Sequence, residues 1–258
     1  MSNDSILSLP PPPADVRLAY GSDHNQFGDL RYPKSGGPFA VVMMIHGGFW
    51  RAKYDLAHAG HLCAGLTAKG LATWNIEYRR AGNPGGGWPG TFQDIGTAFR
   101  FIPQIAKKYN LDSSRVVVMG HSAGGQLAVC LAAHEAAVKH VVSLAGVLDL
   151  QAAYDQHLSN DAVVEFLGGI PKQVTDHYRD ADPMELTVPK ATVQWIIQGL
   201  GDDTVPPDFS RRYVQTKKER GENVHLLEIA QSGHYELIDP RSAAWEKVDA
   251  TVRHEAGL

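Results

Sequence analysis

The chain has 258 residues, 43% of them hydrophobic and 20% charged, with a formal net charge of −4. That length suits one large domain with a substantial core, and the acidic balance argues against a nucleic-acid or anionic-membrane partner. No apolar run approaches the roughly 18 residues a membrane span needs, and the start Met1-Ser2-Asn3-Asp4-Ser5 lacks the basic region of a secretory signal. A cytoplasmic location is expected. The two cysteines, Cys63 and Cys130, fall in expected helices and read as buried free thiols.

Taken in order, residues 1–14 end in Pro10-Pro11-Pro12-Pro13, a stiff leader that can join neither a helix nor a sheet interior. Residues 15–258 read as a single domain. The stretches 16–20 and 27–32 alternate polar and apolar residues and form an opening hairpin. Residues 39–45 are a continuous apolar run, the mark of a strand buried on both faces. From there strand and helix alternate: helix 56–68, strand 71–78, a helix with its stripe at Phe92, Ile95, Phe99 and Ile102, strand 115–119, helix 123–133, strand 140–145. Residues 147–190 break the rhythm with short helical pieces and read as a small lid-like insertion after the sixth strand. Strand 193–198, helix 209–220, strand 224–229 and a closing helix around Trp245, Val248 and Val252 complete the pattern. It predicts an α/β fold: a mostly parallel twisted sheet with an antiparallel start and helices on both faces.

Gly120-His121-Ser122-Ala123-Gly124 stands between the apolar run Val116–Met119 and a small-residue helix. A serine on such a corner is exposed but strained, which tiny neighbours make tolerable. The helix behind it aims free N–H groups at the same point. A serine hydroxyl is a poor nucleophile and needs a base and an oxyanion site. Ligands of parallel sheets bind at strand carboxyl ends, and two strand-end loops there carry Asp202 and His234. The order serine, acid, histidine is the one α/β-hydrolases use. After strand 39–45 comes His46-Gly47-Gly48-Phe49-Trp50, whose glycines let backbone N–H groups approach a substrate oxygen. Gly48, Phe49 and Ala123 are the expected oxyanion donors.

Together with Glu77-Tyr78-Arg79 and Gly199-x-x-Asp202-x-x-Val205-Pro206, these motifs resemble the α/β-hydrolase serine esterases of the HGG-bearing branch. Within it, arylformamidase-type and small bacterial carboxylesterases look most similar. The resemblance runs over nearly the whole chain. It departs at Phe49, where hormone-sensitive-lipase relatives carry a third glycine, and at Gln198, where a histidine often precedes the Gly-x-x-Asp segment. It implies a triad of Ser122, Asp202 and His234, no cofactor, and hydrolysis of small carboxylic esters through an acyl-enzyme. Amide hydrolysis of arylformamidase or short-peptidase type is the alternative reading, and a catalytically silent binding protein is a third.

Asp203 and Asp149 are the other candidate acids, and Asp149 would equally cap a helix starting near Leu150. His46 and His121 are expected to shape loops. Trp50 is a candidate wall of the acyl or leaving-group side, and Trp88 a candidate mobile wall within the glycine-rich loop 82–90. That loop lacks the Gly-Lys-Ser/Thr ending of a phosphate cradle. Arg79 and Arg80 are expected to hold loops rather than bind a substrate carboxylate. No histidine or cysteine pair has metal-ligand spacing. The partner expected is a small ester or amide, and a homodimer is compatible with the sequence.

Overall fold

A computed structural model describes residues 4–258. Eight strands make one sheet: β1 Val16–Ala19, β2 Phe27–Arg31, β3 Phe39–Ile45, β4 Ala72–Ile76, β5 Leu111–His121, β6 His140–Leu144, β7 Val193–Gly199 and β8 Val224–Ile229. Their order is β1-β2-β4-β3-β5-β6-β7-β8. The pairs β1/β2 and β2/β4 are antiparallel and all later pairs parallel, which is the expected antiparallel start on a parallel sheet.

All seven residues of β3 are buried, because helices cover both faces. Val41, Met43 and Ile45 point into one core cluster, shared with Ile95 and Ile102 of α2 (Gly90–Ala106) and Leu127 of α3 (Ala123–His134). Ala40, Val42 and Met44 point into the other. That cluster holds Leu62 and Leu66 of α1 (Gly60–Ala68) and Val248 and Val252 of α8 (Trp245–Glu255). Period-two alternation thus sorts one apolar run into two cores. Phe209 and Tyr213 of α7 (Pro207–Glu219) join the first cluster. The cysteines sit in α1 and α3 as buried free thiols.

The chain leaves β3 for β4 on one side and returns to place β5 on the other. The carboxyl ends of β3 and β5 therefore flank a topological switch point, where parallel sheets open a crevice for ligands. β5 is longer than the expected 115–119. Its register against β3 jumps between Ala40, opposite Asp112, and Val41, opposite Val116. The intervening bulge is held by Asp112, whose Oδ1 accepts from the Ser114 backbone N–H at 3.0 Å.

Between β6 and β7 lie three short helices, α4 Leu150–Asp155, α5 Ala162–Leu167 and α6 Thr175–Ala181. Phe166 of α5 stacks flat on Trp50, with centroids 4.7 Å apart and planes at 7°. Arg51 reaches the same segment, donating to both Glu165 carboxylate oxygens at 2.7 and 2.8 Å and to Ser159 Oγ at 3.0 Å. The proline segment is packed too. Ile6 is buried in the second cluster, and Arg31 Nη2 donates to the Pro12 carbonyl at 2.7 Å.

The flat stack makes Phe166 one apolar anchor of the 147–190 segment. Phe166→Ala is expected to cost about 3–5 kcal/mol, lowering Tm by roughly ten degrees in a domain of this size. Thermal unfolding checks it; an unchanged Tm would show that the insertion does not depend on this contact.

Candidate active site

Ser122 stands between β5 and α3 with φ 57° and ψ −121°, the strained corner expected of it. Its N–H donates to the Leu144 carbonyl at 2.8 Å, and its carbonyl accepts from Gly125 at 2.9 Å. The flanking glycines are needed because backbones crowd there. A Cβ on Gly124 would lie 2.1 Å from the Ile45 carbonyl oxygen, and one on Gly120 2.0 Å from the Gly124 oxygen. Ala123 opens α3, so its N–H has no partner four residues earlier within the helix.

Asp202 and His234 meet as expected. His234 Nδ1 donates to Asp202 Oδ2 at 2.7 Å, and both side chains are buried. That bond leaves the lone pair on Nε2. The other carboxylate oxygen accepts from the backbone N–H groups of Thr204 and Val205 at 2.9 and 2.8 Å. Gln198 completes the set: its Nε2 donates to Asp202 Oδ2 at 3.0 Å, while its Oε1 accepts from Ser210 Oγ at 2.8 Å. The residue that departs from the family pattern therefore supports the Asp202 carboxylate. Asp203 is exposed, and Asp149 caps α4 through the Ala152 N–H at 2.7 Å.

Residues 46–50 lie directly against the serine. A Cβ on Gly47 would come within 3.0 Å of Ser122 Cβ and 2.9 Å of the His121 carbonyl. Gly48, Phe49 and Trp50 all have positive φ, at 109°, 50° and 57°. Glu77 holds this turn from beneath, accepting from His46 Nε2 at 3.0 Å and from the Leu56 and Tyr78 N–H groups at 3.1 and 3.0 Å. Tyr78 hydroxyl donates to the His46 carbonyl at 2.8 Å. Arg79 grips Asp94 through Nε and Nη2 at 2.9 and 2.7 Å. Arg80 donates to Asn25 Oδ1 at 2.9 Å, so both arginines hold loops.

Ser122, Gly48, Phe49 and His234 line one cavity of about 70 Å³, closed by Leu7, Tyr54, His58, Ser159 and Tyr235. Neither Trp50 nor Trp88, the two candidate walls, lines this cavity. Trp50 is 1% exposed: its Nε1 donates to Gln126 Oε1 at 2.9 Å and its face carries Phe166, so it is a buried pillar. Trp88 stacks on Phe92 with centroids 5.2 Å apart and also stands outside the cavity lining.

Sequence reasoning missed His58 and the chain it starts. His121 Nε2 lies 3.0 Å from the His234 carbonyl, an acceptor only, so this nitrogen carries the proton. His121 Nδ1 must then accept, and His58 Nε2 donates to it at 2.7 Å. Two neutral imidazoles thus brace the His234 backbone. Burial, then the neighbouring His46 and His234, pushes His58 from 6.5 down to about 3. Burial, then His234 and His58, holds His121 well below its ordinary value.

Residues 29–216 match the family described as BD-FAE, which is 188 of the 258 residues. The chain belongs to this α/β-hydrolase family. Among curated relatives, esterase LipC of Mycobacterium tuberculosis is 27% identical over 247 residues, covering 86% of this chain and 60% of its own length. The chain thus spans somewhat less than two thirds of that relative. A truncated carbohydrate esterase from gut microbiota superposes with TM-score 0.80 at 20% identity, over 95% of this chain and 99% of that one. Esterase Est2 of Thermogutta terrifontis gives TM-score 0.75 at 20% identity, over 95% and 92%. At those identities the structural likeness is one of fold. Among the described residues of this BD-FAE member, no helix is long and apolar enough to cross a membrane.

The neutral His58–His121 pair has a consequence for stability. The unfolded chain takes up protons on these histidines below pH 6.5, whereas folded His58 stays neutral to about pH 3. The unfolded state therefore binds more protons across that window, and the pair makes stability fall as pH drops through it. Asp182, lifted by burial to about 7, acts in the opposite sense, but it is common to wild type and variant. His58→Gln should show a smaller loss of Tm than wild type between about pH 7 and about pH 4.5. Equal losses would show that His58 is not held neutral in the fold.

Proposed function

We propose that this α/β-hydrolase is a carboxylesterase cleaving small carboxylic esters through an acyl-enzyme on Ser122. The observation that carries this reading is the 2.7 Å bond from His234 to Asp202, in the same cavity as a serine held on a strained corner. The names of the relatives, all esterases, favour an ester over the amide alternative. The buried thiols are in keeping with a reducing compartment such as the cytoplasm.

In the proposed reaction Ser122 Oγ attacks the ester carbonyl while His234 Nε2 takes its proton. Asp202, fixed by four hydrogen bonds, holds the imidazole tautomer and stabilises the imidazolium. The N–H groups of Gly48, Phe49 and Ala123 receive the oxyanion, each worth about 10²–10³ in turnover when such a donor is lost. His234 then protonates the departing alcohol, and a water repeats the sequence to free the acid.

Short p-nitrophenyl esters test the activity, and the ratio of turnover on matched ester and amide substrates tests the bond. Ser122→Ala should lower kcat by about 10⁴ or more; wild-type rates in that variant would refute the assignment. A hydrogen bond to a charged group is worth about 1.5–3 kcal/mol, so Gln198→Leu should cost at least about tenfold in kcat with KM little changed. A kcat equal to wild type would show that Gln198 does not position Asp202.

A further inference from the structure

The cavity over Ser122 has walls that none of the hydrolase motifs supplies, and one of them comes from the start of the chain. Leu7 lines it beside Ser122, His234 and Phe49. Leu7 also lines a second hollow of about 260 Å³, together with Leu9, Lys53, Tyr54, Asp55 and His58. Leu7, Tyr54 and His58 are common to both. They form the partition between a small catalytic cavity and a larger hollow opening beside it.

The segment bearing Leu7 is built to stay there. Residues Ser5–Ser8 form a single 3-10 turn, closed by Leu7 N–H to the Asp4 carbonyl at 2.9 Å and Leu9 N–H to the Ile6 carbonyl at 3.3 Å. Ile6 points inward and is 3% exposed, whereas Leu7 and Leu9 are 38% and 42% exposed. Leu7 and Leu9 stand together as an exposed apolar pair at the hollow they both line. Beyond the turn, His61 Nε2 donates to the Leu9 carbonyl at 3.2 Å. Pro11 sits so close to Gly60 that a Cβ there would lie 2.5 Å away.

We propose that Leu7 is a specificity-determining residue of this site. It closes the catalytic cavity and sets the length of acyl chain that fits behind the ester carbonyl carbon bonded to Ser122 Oγ. Removing its side chain joins the cavity to the adjoining hollow, whose Leu9 and Tyr54 then receive a longer chain. Because Leu7 is partly exposed and Ile6 holds the turn, the substitution removes a wall without opening the core.

This role rests on the esterase reading, and one experiment separates the two. Wild type, Leu7→Ala and Leu7→Trp are each compared by kcat/KM on p-nitrophenyl acetate, butyrate and octanoate, with fluorophosphonate labelling of Ser122 measured alongside. The octanoate-to-acetate ratio should rise at least about tenfold in Leu7→Ala, and the butyrate-to-acetate ratio should fall in Leu7→Trp. Ratios within about twofold of wild type in both variants, in protein that takes the probe and turns over acetate, overturn the role of Leu7 and leave the esterase reading standing. A wild-type protein that neither takes the probe nor hydrolyses any of the esters overturns both.

Discussion

The close approach of α3 to the ends of β3, β5 and β6 is the constraint on which the site depends. Three glycines permit it: a Cβ on Gly120, Gly124 or Gly125 would lie 2.0, 2.1 or 2.6 Å from Gly124 O, Ile45 O or Ser143 Oγ. With no side chain there, the helix N-terminus sits where a strand has just ended, and Ser122 is forced to φ 57°. Such a conformation costs about 1–3 kcal/mol. The offset comes from α3 itself, ten of whose residues are buried. Leu127, Val129 and Leu131 each contribute about 1.5–3 kcal/mol by burial, so the helix holds the serine in a conformation it would not choose.

The second loop of the site is held differently, by charge and hydrogen bonding rather than by packing. Glu77 is almost fully buried and accepts from His46, Leu56 and Tyr78 while standing 3.2 Å from Arg80. A buried carboxylate stripped of such partners is strongly unfavourable, so the turn at residues 46–50 and the Glu77 pocket stabilise one another. Three consecutive residues at positive φ, two of them bulky aromatics, are kept in place by that network below and by Arg51 and the insertion above.

What could be read from the sequence follows from which constraints act locally. The run 39–45 announced a strand because burial on both faces demands apolar residues at every position. The Ser122 corner announced itself because backbone crowding demands glycine. Asp202 and His234 were legible by their place after strands of one sheet. Contacts between distant segments left no such mark. His58 and His121 are 63 residues apart, and no spacing rule connects them. On sequence Trp50 is a candidate pocket wall in the loop 46–50, but its partners Gln126 and Phe166 lie far along the chain and draw it inward. Leu7 was hidden by the prolines after it: they excluded helix and sheet, and excluding regular structure said nothing about packing.

The same division separates reaction from substrate. A group that must form a strained corner, an unhindered N–H or a fixed imidazole tautomer is restricted to very few residue types, and those types stand out in a sequence. A cavity wall needs only an apolar side chain of suitable size at a suitable place, which Leu, Tyr or Phe can supply from any segment that reaches it. Here the walls come from Leu7, Tyr54, Ser159 and Tyr235, on four separate stretches outside the sheet. Because each wall is a weak constraint on residue type, the chemistry of such a fold can be read from its motifs, while the size of what it accepts is set by segments that folding alone brings together.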